Sequence, residues 1–557
     1  MVHKIFSFIS KESIGIHQAA FLLGFFAILS QILGFFRDRL LAHNFGAGIE
    51  LDLYYAAFRL PDFIFVSVAS LVSVSVLIPI LVEKLDDKEK AKRFIDTTFS
   101  FFFSLIIFVS AITFFLAPTL LKIIFPGFEE NLYPDLTIMT RALLLSPIFL
   151  GLSNLLASIT QVYKRFVLYA ISPIIYNLGI IVGIVFLVPI FGVIGVAIGV
   201  AFGAFGHFAV QLSFVLKSGL FPRFSFSWQL KELKKTLLLS IPRTLALGFN
   251  QISVLVLISL ATFLVPGSIT IFNFSFNLQS APLSIIGVSY SLAAFPTLAW
   301  LFSNGQMSKF VEQVSLAAKH IIFWSLPAAV LIVVLRAQIV RTVLGSGQFS
   351  WSDTRLTAAS LAIFSFSILF QGLSLLFIRG YYSAGRTKKP LLVSFISSLL
   401  VIIFSFSLIK IFNNSEFFRY FIESLFKVEN LEGSVSLMLA LGFSLGMAIN
   451  GFVLWILFSL DFPGFARQTL NTFFQSLSSS IIAGFFCYLA LQVLVVFLNT
   501  GTFLGIFLQG FLAGLVGIVV GVIILYLLDS QELKDILQTF RRKFWKTKVI
   551  GSDPEIV

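Results

Sequence analysis

Charge is scarce in this chain. Of its 557 residues only 12% are Asp, Glu, Lys or Arg and 58% are hydrophobic, whereas soluble domains carry about 25% charged and about 45–50% apolar residues. With a mean hydropathy of +0.99, a folded monomer in water would expose far more hydrocarbon than soluble proteins tolerate. Cysteine is reduced to Cys487, which excludes a disulfide-stapled scaffold. The histidines, at 3, 17, 43, 207 and 320, have no ligand spacing, so no metal centre is expected. A Gly-rich phosphate loop ending in Lys-Ser or Lys-Thr is absent, which excludes an ATPase built into the chain. No nucleophile–base pair emerges, and the strict alternation of a membrane β-barrel is missing.

What is present is long apolar runs, with 69 phenylalanines. A spanning helix needs about 20 apolar residues, and the runs fall at about 17–42, 53–82, 95–125, 135–162, 166–190, 192–216, 236–262, 268–302, 311–336, 354–382, 390–412, 434–460, 469–498 and 502–528. The expected fold class is therefore an all-α polytopic membrane protein of about fourteen transmembrane helices. The net charge of +13 follows the loops rather than a nucleic-acid surface. Lys84, Lys88, Lys90, Lys92 and Arg93 share one connection and Lys164 and Arg165 another. Arg386, Lys388 and Lys389 lie in a third, and Arg541, Arg542, Lys543, Lys546 and Lys548 in the tail. With both termini in the cytoplasm these all fall inside, and acidic connections such as Glu129, Glu130 and Asp135 fall outside. Only Arg336 and Arg341 run against the bias. Asp86-Asp87 sits in the first Lys-rich loop and reads as a solvated charge run. The stretch 413–433 is acidic and aromatic, open between a short interfacial helix and a flexible loop.

The chain also echoes itself. Gly151-Leu152-Ser153-Asn154-Leu155-Leu156 returns loosely as Gly372-Leu373-Ser374-Leu375-Leu376, and Phe58-Arg59-Leu60 with Pro79 returns as Phe276-Asn277-Leu278 with Pro296. Both offsets are about 220 residues, the mark of a repeated unit. The expected organisation is an N-lobe over 1–216, a cytoplasmic linker over 217–235 and a C-lobe over 236–460. A helix pair over 461–528 and a basic cytoplasmic tail over 529–557 follow. Two six-helix lobes enter the membrane in the same sense, a plan that places a substrate site between them.

Ionisable side chains at membrane depth are costly, about 2.5–3.5 kcal/mol each on insertion scales, and mark pathways or paired sites. Here they gather early, as Arg37, Asp38, Arg39, Asp52, Arg59 and Asp62. No Asp or Glu lies between Glu232 and Glu312 or between Asp353 and Glu416. Asp52, Tyr55, Arg59 and Asp62 are spaced to form one helical stripe that Ser70 and Ser73 extend. Such a stripe cannot face lipid. It either neutralises itself as a structural cluster or walls a substrate cavity, where guanidinium groups suit phosphate oxygens. Arg141, Arg243 and Arg379 read as snorkelling to the interface.

The run Leu33-Gly34-Phe35-Phe36-Arg37-Asp38, then Phe45-Gly46-Ala47-Gly48, Asp52 and Phe58-Arg59-Leu60-Pro61, resembles the start of the MurJ/MviN family. That family flips lipid II, the undecaprenyl-linked peptidoglycan precursor, and belongs to the multidrug/oligosaccharidyl-lipid/polysaccharide exporter superfamily. Phe125-Pro126-Gly127-Phe128, Tyr163-Lys164-Arg165-Phe166 with Pro173 and Asn177, Gln251-Ile252-Ser253, and Tyr382-Ser383 with Thr387-Lys388-Lys389-Pro390 extend the resemblance along most of the chain. It implies fourteen helices, as two lobes plus a C-terminal pair, in the bacterial inner membrane. It also implies transport by alternating access, with no cofactor and with the membrane potential or an ion gradient as energy source. The implied partners are a lipid-linked glycan, membrane lipids and cell-wall synthesis proteins.

Carried over by residue, Arg37, Asp38 and Asp52 match charged positions of the family's cavity. Arg59 is a second candidate for the substrate, and Gln31, Tyr55, Asp62, Asn250, Gln251 and Asn277 form a secondary polar set. Departures are specific. Gln31, Phe65 and Asn277 stand where the family has arginines, Ser280 replaces an acid, and the carboxylates of a C-lobe sodium site have no counterpart. The lost cations leave open a flippase for another lipid-linked oligosaccharide or polysaccharide unit, an amphipathic drug exporter, or a non-transporting cell-wall scaffold. A membrane-embedded enzyme on lipid-linked sugars lacks convergent acid–base groups.

Overall fold

The computed structural model of the protein describes residues 16–69, 77, 81, 84, 87–163, 165–225 and 230–544. Among these residues the chain is helical, with no strand. It begins with α1 (Ile16–Phe45), α2 (Ile49–Ala57) and α3 (Arg59–Ile64), the last running into a π-helical turn at Phe65–Ala69. Then come α4 (Lys88–Ile124), α5 (Tyr133–Leu143), α6 (Leu145–Val162), α7 (Phe166–Val182) and α8 (Ile194–Val215). The later helices are α9 (Leu230–Ala261), α10 (Ser268–Leu283), α11 (Ser289–Ser303), α12 (Met307–Val343), α13 (Trp351–Ser383) and α14 (Lys388–Asn414). The chain closes with α15 (Glu416–Phe426), α16 (Leu437–Asp461), α17 (Phe465–Phe497), α18 (Phe503–Leu527) and α19 (Gln531–Phe544).

Twelve spans among the described residues are long and apolar enough to cross a membrane. They match the expected segments from the third to the fourteenth. The first expected segment lies in α1; the second starts in α2 and runs on into residues outside the described set, Ser70 and Ser73 among them. Asp87 caps α4, accepting from the backbone N–H of Glu89 at 3.1 Å and of Lys90 at 3.2 Å. Those bonds and the Lys90 ammonium hold its carboxyl below the usual range, so this acidic residue of the loop is a helix cap. The insertion at 413–433 contains the helix α15. Ser415 caps it, and Phe417, Tyr420, Phe421 and Leu425 on its surface are exposed while Ile422 is buried.

The chain divides into two compact units. The first comprises 1–281, 340–364 and 386–450. Within it α7 and α8 touch through glycines: a Cβ on Gly179 would meet the Gly203 backbone, one on Gly203 the Tyr176 carbonyl, and, in the π-helical turn Gly183–Leu187 that follows α7, one on Gly183 the Gly199 backbone. Small residues let spanning helices approach to van der Waals distance, which must replace the hydrophobic effect between helices in lipid. One end of this unit is tied together by its turns. Gln348 N–H donates to His43 O at 3.0 Å, Gly127 N–H to Thr262 Oγ1 at 3.2 Å, and Ser259 Oγ to Ile124 O at 2.5 Å. Gly267, at φ +94°, lies against the Ala47 backbone, where a side chain would be both strained and blocked.

The second unit comprises 282–339, 365–385 and 451–557. There Cys487, Leu491 and Ala513 of α17 and α18 form a buried cluster against Leu331, Val334 and Leu335 of α12. The start of the tail is ordered as α19, where Leu533 packs on Phe323 and Leu525, and Glu532 accepts from Thr472 at 2.7 Å and from Ser530 at 2.9 Å. Arg379 donates to Val288 O at 3.1 Å and Ser291 Oγ at 2.8 Å. It therefore ties helices together instead of snorkelling as expected. Arg141 lies over the Phe114 ring and donates to Phe114 O at 3.1 Å, and the side chain of Arg243 lies outside the described set.

A π-helical turn at Ser284–Val288 sits 219 residues after the one at Phe65–Ala69. Each follows a proline, Pro61 or Pro282, where a missing N–H lets the hydrogen-bond ladder slip. Gly151 receives Phe102 and Ile106, and Gly372 receives Ile321, so the sequence echo marks in each case a glycine against a neighbouring helix.

Replacing Gly203 by Leu forces α7 and α8 apart and is expected to destabilise the protein by about 2–3 kcal/mol. The readout is the thermal midpoint of the purified protein in detergent; Phe202→Leu, at an exposed position, should leave it unchanged.

Candidate substrate cavity

Inside the first unit, α1, α2, α3, α7, α9 and α10 surround a cavity of about 360 Å³. Its wall carries Arg37 from α1, Tyr54 and Tyr55 from α2, Arg59 and Asp62 from α3, and Tyr176 from α7. Asn250 and Gln251 come from α9, and Asn273 and Asn277 from α10.

Arg37 is held from behind. Its Nε and Nη2 donate to Asp38 Oδ1 at 2.9 and 2.7 Å, and its Nη1 donates to Asn177 Oδ1 at 3.1 Å. The second Asp38 oxygen accepts from Asn277 Nδ2 at 3.2 Å. Asn177 is itself fixed by donating to Pro173 O at 3.1 Å and to Ser30 Oγ at 3.3 Å. The Arg37 side chain keeps 22% of its surface exposed while Asp38 keeps 5%, so the cation faces the cavity and the anion braces it. Arg59 is buried, donates through Nη2 to Asn273 Oδ1, and keeps its Nε without a partner. The Tyr55 hydroxyl is likewise buried and unpartnered.

Asp52 has a different task. Its carboxylate accepts from Gly267 N–H at 2.7 Å, Thr270 N–H at 2.8 Å and Thr270 Oγ1 at 2.7 Å. It thus caps the N-terminus of α10, where unpaired N–H groups and the helix dipole favour an anion. It is buried and does not line the cavity. The stripe of Asp52, Tyr55, Arg59 and Asp62 faces protein as expected, but it splits between a latch at one end and a cavity wall at the other.

The remaining expected residues separate in the same way. Tyr55, Asp62, Asn250, Gln251 and Asn277 line the cavity, and Gln31, half-buried on α1, does not. Phe65 packs against the apolar cluster of Ile64, Val68 and Leu155, and Ser280 donates to Asn277 O at 2.7 Å. Tyr54, Tyr176 and Asn273 were not anticipated. Asn273 is one turn before Asn277 on the same helix, a spacing that marks a shared face. Among the described residues no three His, Cys, Asp or Glu side chains gather into a metal-binding group.

The architecture is that of a multi-pass membrane protein with a polar cavity inside an apolar helical bundle. Solved structures share the fold. A lipid II flippase MurJ in an inward closed conformation superposes with a TM-score of 0.71 at 23% identity, over 93% of this chain and 100% of that one. An inward-facing multidrug resistance MATE family transporter of the MOP superfamily gives 0.62 at 13% identity, over 78% and 96%.

Relatives in sequence narrow the class. The family model described as lipid II flippase MurJ matches residues 41–512. A probable lipid II flippase MurJ of Buchnera aphidicola subsp. Schizaphis graminum is 27% identical over 476 residues, 83% of this chain and 87% of that one. One from Thermotoga maritima is 29% identical over 400 residues, covering 70% and 79%. The chain belongs to the lipid II flippase MurJ family.

Asp52→Ala removes three bonds to a charged group, each worth about 1.5–3 kcal/mol, and leaves the start of α10 uncapped. A lower thermal midpoint is expected. So is freer access of a thiol reagent to a cysteine placed at Ala47, which lies beside Gly267; unchanged labelling would mean the latch closes nothing.

Proposed function

We propose that this protein flips lipid II across the bacterial cytoplasmic membrane. The observation that carries the reading is Arg37, oriented by Asp38 and Asn177 with its free face toward a polar cavity, in a chain of this family. Arg37 and Arg59 hold the diphosphate through charge-assisted bonds. Tyr55 and the amides Asn250, Gln251 and Asn273 offer donors and acceptors to the sugars. Asn277 supplies no cation, and its amide N–H is engaged with Asp38. The lipid tail stays in hydrocarbon.

With both termini in the cytoplasm, the turns joined by Asp52, Thr262 and Gln348 face outward. The cavity is therefore shut on the outer side in this conformation. Release to the outside requires those bonds to break as the N-lobe, 1–216, rocks against the C-lobe, 236–460. The membrane potential or an ion gradient drives the cycle. The partners are lipid II, bilayer lipids and proteins of cell-wall synthesis. The reading is one of movement across a bilayer, with no bond of the substrate broken.

Expression in a strain depleted of its lipid II flippase tests this, with outer-leaflet lipid II as readout. Restored exposure is expected from the wild type and a loss of at least about tenfold from Arg37→Ala, the scale of one charged contact, at equal membrane insertion. Full transport by Arg37→Ala would remove the assigned role.

A further inference from the structure

The cavity holds two arginines and is served by two carboxylates, so its own charges cancel. The carboxylates differ in what holds them. Asp38 has one oxygen on Arg37 and the other on Asn277 and is almost fully buried. Asp62 lines the cavity, yet among the described residues its carboxylate takes part in no hydrogen bond or ion pair. The titratable groups around it are Arg59 on its own helix, Tyr54 and Tyr55 from α2, Tyr176 from α7, and the Arg37–Asp38 pair from α1. The cavity residues of α9 and α10 are amides and apolar side chains, with no titratable group. Two buried donors of residues on the same cavity wall, the Tyr55 hydroxyl and Arg59 Nε, are also unpartnered.

A dianionic diphosphate entering here recruits Arg37 and Arg59. That leaves Asp62 facing an anion across a low-dielectric cavity without a cation of its own, and like charges at short range cannot both remain ionised. Asp38 keeps its charge because its bonds stay in place. A metal ion is a poor solution at Asp62: hard cations collect several oxygen ligands, and here one carboxylate stands beside a guanidinium.

We propose that Asp62 is the proton site of this transporter, taking up one proton from the water of the cavity when the diphosphate headgroup binds and returning it to water when the headgroup leaves. Headgroup and proton then travel together, which offsets part of the transported charge. This rests on the reading of the cavity as a diphosphate site.

The test measures protons taken up per ligand bound by the purified full-length protein in weak buffer. Lipid II and the methyl diester of undecaprenyl diphosphate, both dianionic near neutral pH, serve as separate probes. Close to one proton per ligand near neutral pH is expected for the wild type, with affinity falling by up to about tenfold per pH unit on the alkaline side. D62N should bind with no uptake and a flat pH profile, and D62E should restore both. Thermal midpoints confirm that the variants are folded. Uptake with the methyl diester but no binding of lipid II would keep the proton site and overturn the choice of cargo. Binding of both without uptake, equal uptake by D62N, or affinity that follows sodium instead of pH would overturn the proton site.

Discussion

A guanidinium inside a bilayer must be paired, and the pairing of Arg37 with Asp38 is the constraint around which the first unit is arranged. Charges at that depth cost several kcal/mol when alone, and adjacent residues on one helix cannot satisfy both groups. The remaining valences are filled from a distance in the chain, by Asn177 on α7 and Asn277 on α10. Three helices are thereby fixed to one ion pair. The cavity between them is the space left on the open side of the arginine.

The same constraint explains why the cavity works with few cations. Asn277 meets Asp38 with a neutral amide, so the carboxylate is satisfied without a second positive charge. Phe65 has joined an apolar cluster with Ile64 and Leu155, where no cation would be stable. Among the described residues the cavity wall carries two cations, Arg37 and Arg59, and each is held by an asparagine. That narrower charge balance is why an extra carboxylate, Asp62, has consequences it would not have in a strongly cationic cavity.

Asp52 and the π-helical turns mark where the bundle is pinned and where its hydrogen-bond ladder slips. A carboxylate on the first backbone N–H groups of α10 is strong because the dipole and the burial act together, yet it is a point contact that a small shift dissolves. The π-helical turns after Pro61 in α3 and Pro282 in α10 loosen the ladder of those two helices, and slipped turns of this kind mark sites of bending.

Much was legible in the sequence because lipid enforces simple rules. Helices must be apolar over a bilayer's width and backbone groups must pair internally, so the twelve long spans within α4 to α14 and α16 to α18 could be placed from hydropathy. Arg37, Asp38, Arg59 and Asp62 stood out because charge in an apolar run has few explanations. What the order of residues did not reveal was the partner of each charge. Asp52 and Asp62 lie on one stripe and look alike there; only the approach of Gly267 and Thr270, more than 200 residues away, turns the first into a helix cap and leaves the second facing the cavity. Asn273 and Tyr176 were hidden for the same reason. A neutral polar side chain in a membrane helix is unremarkable until packing decides whether it meets lipid, backbone or an arginine. Local chemistry determined which residues were eligible, and tertiary contact, through the need to satisfy every buried charge, decided what each one does.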